Sequence, residues 1–115
     1  MNVKHIDEIP STPVTMEGAE GVTVRRLITD GDGAENFVMR MFEVSPGGWT
    51  PLHTHSWEHE IYVLEGQGVI VFEGREFPLR PGNVLFVPGG RDHQFKCTHP
   101  TRFRFLCIVP PEGEG

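Results

Sequence analysis

The residues of this chain best suited to chemistry lie in one short run, His53-Thr54-His55-Ser56-Trp57-Glu58-His59-Glu60, which holds three of its six histidines. Neutral imidazole is a common transition-metal ligand, and residues two apart on an extended chain point to the same side. His53 and His55 can therefore reach one ion together. A fourth candidate, His93, follows the glycine- and proline-rich segment GNVLFVPGGRDH. Four imidazoles bring no charge to the ion, which stays electrophilic and, if five- or six-coordinate, keeps positions open for exchange. Manganese, iron, cobalt, nickel, copper and zinc all accept such ligands. The spacing of the cluster inside the chain excludes a purification tag, while His5 and His99 stand apart and read as surface histidines.

Around this cluster the chemistry is sparse. Glu58 and Glu60 alternate away from His59, which puts them on the opposite face of a simple strand. Arg40 lies in an apolar strand where a charge needs a partner, either a substrate carboxylate or an acid across a subunit interface. Cys97 reads as a small buried hydrophobe, with thiolate ligation the alternative. Trp49, Trp57, Phe95, Phe103 and Phe105 suggest an apolar pocket, suited to an uncharged or enolisable organic substrate or to dioxygen activation. No GxSxG elbow, P-loop, dinucleotide glycine fingerprint or HExxH helix occurs in the sequence.

Short strands must position these residues. Fourteen glycines and ten prolines cut the 115 residues into pieces, and no window carries a 3.6-residue apolar repeat. Strand signals fall at 22–28, 37–44, 83–88, 93–97 and 102–109, with a sharp bend at Pro46-Gly47-Gly48. Residues 60–74 read as a hairpin divided by Glu65-Gly66-Gln67-Gly68, and a second tight turn falls near Gly74-Arg75. Residues 1–21 read as an N-terminal arm with an edge strand around His5 to Ile9, and 110–115 as a flexible tail. The pattern predicts one all-β domain over residues 1–115, with eight or nine strands closed into a barrel or two-sheet jelly roll. Apolar outer faces at 37–44 and 102–109 exceed what one interior needs and predict a homodimer.

A net charge of −6 gives no pull toward nucleic acid or anionic lipid. The sequence holds no run of 18 apolar residues and the N-terminus lacks a signal-peptide core, so a cytoplasmic protein with two free thiols and no membrane partner is expected.

The motifs resemble the cupin superfamily. Gly47, His53, His55 and Gly66 match its first motif, with His59 where the family has Glu, and Gly82, Pro88, Gly90 and His93 match its second, with Cys97 in place of Asn. The resemblance implies a double-stranded β-helix, the jelly-roll cupin barrel. Together with FVMRMFEV and FLCIVP, the run WEHEIYVLEG is similar to a group of single-domain cupins with a four-histidine site. That likeness implies a homodimer with one divalent metal per chain, manganese favoured and iron, copper, nickel or zinc possible, on His53, His55, His59 and His93. Cupins span many reactions, so the expected activity is a metal-dependent oxidoreductase of dioxygenase type acting on a small organic molecule. A non-catalytic small-molecule or metal-binding module and a metal-dependent isomerase are the alternatives.

Overall fold

The computed structural model describes residues 1–113, and within them nine strands form one curled antiparallel sheet with jelly-roll topology. The strands are β1 (Thr12–Pro13), β2 (Glu20–Ile28), β3 (Val38–Trp49), β4 (His59–Glu65), β5 (Gly68–Phe72), β6 (Arg75–Leu79), β7 (Val84–Val87), β8 (His93–Cys97) and β9 (Phe103–Val109). Hydrogen bonding runs in the order β6-β5-β8-β3-β9-β4-β7, and β2 joins β3 while carrying β1 on its outer edge. Alternation sets the core. In β9, Phe103, Phe105, Cys107 and Val109 are buried, while Arg104, Leu106 and Ile108 between them are only partly covered. They meet Val44 from β3, Val63 from β4 and Ile70 from β5.

The expected bend at Pro46-Gly47-Gly48 is a bulge within β3, where the register with β2 slips between Val22↔Val44 and Glu20↔Trp49. This curl carries the end of β3 to β8, where Trp49 pairs with Lys96. The tight turn at Gly74 is also present. Glu73 and Gly74 have φ of 49° and 78°, the doubly positive pair of a two-residue hairpin loop between β5 and β6.

Residues 60–74 are not the hairpin read from the sequence. β4 pairs with β7 and β9, whereas β5 pairs with β6 and β8, so Glu65-Gly66-Gln67-Gly68 is a corner between two strands that are not neighbours in the sheet. Gly66 has φ 77°, and a Cβ on it would collide with the Arg102 carbonyl oxygen. Packing against a distant segment thus determines what two glycines in a strand-turn-strand pattern do.

The N-terminal arm also differs in detail. Ile6–Glu8 forms a 3-10 turn in place of an edge strand, because the His5 ring accepts from Asp7 N and the Glu8 carboxylate accepts from His5 N. The edge strand is β1, paired through Thr12↔Val24. At the other end, Pro111–Gly113 forms a further 3-10 turn, with Gly113 packed against the Trp57 ring. The rest of the expected tail, residues 114–115, lies outside the described residues.

Candidate metal and ligand site

Two chain segments are locked together to build the site. His53 and His93 form an antiparallel bridge, His53 N donating to His93 O (3.3 Å) and His93 N to His53 O (3.2 Å). Gly90 N donates to His55 O at 2.7 Å, and a Cβ on Gly89 would strike the Ser56 carbonyl. The glycines after Pro88 therefore let this loop lie directly on the histidine run. His59 opens β4 and His93 opens β8, which aims both rings inward at 7% and 3% exposure.

The donor atoms of His53, His55 and His93 all lie within 4.8 Å of one another, a set able to hold a metal ion. The His59 ring joins them: its centroid is 4.5 Å from that of His55 and 5.1 Å from that of His93, and its Nε2 is 2.6 Å from His55 Nε2. Neighbouring groups set which nitrogen carries the proton. His55 Nδ1 donates to Trp57 O and His93 Nδ1 to Arg91 O, both at 2.9 Å, because a carbonyl can only accept. Each Nε2 is then a bare lone pair. That of His93 is buried with no hydrogen-bond partner, as suits an atom aimed at a metal ion. The donor set fits a divalent transition metal.

Burial favours the neutral form of His53, His55 and His59. It pushes His59 down to about 3 and His53 to about 4, and lowers His55 as well, with neighbouring imidazoles and the Arg40 charge adding to the effect. Neutral rings near pH 7 are the form that binds metals.

Above the histidines opens a cavity of about 330 Å3. Of the residues singled out from the sequence, Trp57, Phe95, Phe105 and Arg40 line it, whereas Trp49, Phe103 and Cys97 do not. Trp49 sits at the bulged end of β3, 40% exposed. Phe103 is sealed in the core against Phe105, two residues too far along β9 to reach the cavity. Cys97 is buried at the far end of β8, where its thiol reaches His99 O at 3.5 Å. Glu60 stays on the outer face, opposite Ile108 and Phe86. His99 bonds with Thr101 and has no part in the site.

Several lining residues went unnoticed in the sequence, Phe42 and Cys107 among them. Phe42 stacks on Phe105 at 5.6 Å, and Cys107 touches His59 Nδ1 at 3.0 Å and accepts from Arg40 Nη2 at 3.2 Å. Both sit at inward positions of their strands, so alternation alone could have found them.

Comparison with known proteins agrees with this picture. The chain is 42% identical to the polyketide cyclase RemF from Streptomyces resistomycificus, covering 96% of this chain and 80% of that one with a TM-score of 0.92. It is 29% identical to an oxalate-binding protein from Thermotoga maritima, over 95% of this chain and 93% of the relative. A 1-methylthio-D-xylulose 5-phosphate methylsulfurylase from Rhodospirillum rubrum is 31% identical over 78% of this chain, which spans 57% of that relative. Residues 40–109 match the Cupin_2 (cupin domain) family model, and with the histidine-floored jelly roll described above this chain belongs to the cupin family.

Proposed function

We propose that this chain is a metal-dependent cyclase that folds and closes an enolisable, carbonyl-bearing substrate, with one divalent ion on His53, His55, His59 and His93. One observation carries the reading: imidazoles converge beneath an aromatic cavity in a chain 42% identical to a polyketide cyclase over 96% of its length. Held there, a divalent ion supplies Lewis-acid polarisation of a carbonyl oxygen. The chain's own part is to orient and to exclude water. Phe42, Phe95, Phe105 and Trp57 form walls against which a flexible carbon chain must fold, bringing its nucleophilic carbon onto a carbonyl carbon. The Nδ1 bonds of His55 and His93 hold their Nε2 lone pairs inward. Manganese, which the cupin resemblance implies, is the first ion to load, since imidazoles alone do not select one.

A second reading is a binding module without turnover, favoured by the 29% identity to an oxalate-binding protein across nearly its whole length. The dioxygenase reading uses the same ligands. Metal analysis of protein purified without added metal, followed by incubation with a linear poly-β-ketone under air, separates the three. Cyclisation gives a product lighter by one water with no oxygen consumed, and this is the expected result. Oxygen uptake with an oxygenated product would establish a dioxygenase, and tight binding with no conversion a binding module. Within the same proposal, His59→Ala should sharply reduce metal content; a full equivalent bound at wild-type affinity would remove His59 from the ligand set.

We also propose a homodimer through the outer sheet face. Val84, Phe37, Phe86 and Tyr62 are 73%, 67%, 59% and 48% exposed there, an apolar surface unusual for a lone barrel.

A further inference from the structure

Two arginines line the cavity of this acidic protein. Arg26 of β2 and Arg40 of β3 are cross-strand partners, and both line it. Like charges directly opposite one another on antiparallel strands repel. Among the described residues lining the cavity there is no Asp or Glu, although the chain has 16 of them. Arg40 is only 8% exposed, and its Nε, buried, has no partner. Its other contacts are the Cys107 sulfur at 3.2 Å and the face of Phe42, 4.9 Å from Cζ. Neither is a carboxylate, and buried charges in proteins are normally paired.

We propose that Arg40, assisted by Arg26 at the more exposed side, binds a carboxylate of the substrate, so that the ligand is an oxo acid with its carbonyl end at the histidines. This rests on the cavity being the ligand site and names the substrate class of that reading. A planar guanidinium matches a carboxylate through paired N–H donors. A phosphate dianion would call for several buried cations, and here one arginine is buried and the other exposed. The two ends of the ligand sit close together: a single sulfur, Cys107 Sγ, touches both Arg40 Nη2 and His59 Nδ1. The acid and the reacting carbonyl are thus separated by only a few bonds.

The test is calorimetric titration of the full-length protein with levulinate and with methyl levulinate, in which one methyl group removes the charge, and neither requires turnover. Wild-type protein should bind the acid about 10- to 100-fold more tightly than the ester, as expected of hydrogen bonds to a charged group. The preference should persist after chelation of the metal. Arg40→Gln should collapse it toward unity, with Arg40→Lys retaining part and Arg26→Gln reducing it by a smaller factor. Equal binding of acid and ester by the wild type would overturn the proposal. So would a preference that survives Arg40→Gln, or one present only in metal-loaded protein, which would place the carboxylate on the ion. If Arg40→Gln does not fold, a preference kept undiminished in both Arg40→Lys and Arg26→Gln overturns it equally. Lack of cyclase turnover would leave these ratios untouched, so the two proposals fail separately.

Discussion

His59 should make the metal-free protein sensitive to acid, and the size of the effect can be worked out. Its imidazole is held at about 3 by burial and its neighbours, against 6.5 for an ordinary histidine. Between those values the unfolded chain binds a proton that the folded chain does not, so stability is fully present above pH 6.5 and falls as pH drops toward 3. At pH 5 the folded ring is still neutral. The loss is then set by protonation of the unfolded ring, about 2 kcal/mol relative to pH 8. His53, held at about 4 but more exposed, adds in the same direction. The assay is urea denaturation of chelator-treated protein at pH 8 and pH 5, wild type beside His59→Gln. Comparing the two proteins cancels the titrating groups that are not coupled to His59. The variant should lose about 2 kcal/mol less than the wild type on acidification, whatever its own stability at pH 8. Equal losses would show that the folded chain protonates His59 as readily as the unfolded chain, and would refute the neutral, inward-facing ring. Loading the metal should deepen the pH dependence, because protons then compete for the Nε2 lone pairs.

Two other consequences concern the scaffold. Gly66→Ala should destabilise by more than about 3 kcal/mol, since a positive φ and a collision with the Arg102 carbonyl add together, whereas Gly47→Ala, with φ 74° and no atom within 4 Å of its new Cβ, should lose only about 1 kcal/mol; denaturation midpoints of the two would test the contrast, and equal losses would contradict it. Phe86→Lys on the outer face should convert a dimer to a folded monomer in light scattering with its circular dichroism unchanged, and an unchanged mass would remove that face from the interface.

How far the sequence foretells this site depends on how local each signal is. His53, His55 and His59 could be read because they fall within seven residues, and His93 because the glycines just before it mark a loop that seats on that run: Gly89 passes the Ser56 carbonyl and Gly90 bonds to His55 O. Alternation along β9 gave its inward face correctly, yet Phe103 and Phe105 share that face and only Phe105 reaches the cavity. Period two tells inside from outside, not floor from depth. The same limit explains residues 60–74, since a glycine corner between unpaired strands and a glycine hairpin have one sequence pattern, and only the Arg102 backbone, far along the chain, tells them apart. Arg40 is the sharper case. Its burial was suggested by the apolar strand around it, but that Arg26 stands directly opposite follows from a register between strands that no local spacing encodes. The histidines gathered at the site were thus legible from neighbours in sequence, while the other groups lining the cavity were assembled by pairing across strands. Selection among substrates is therefore proposed to live in the part of this barrel that sequence patterns describe least, and the preference of Arg40 for a charged ligand is the first property to measure.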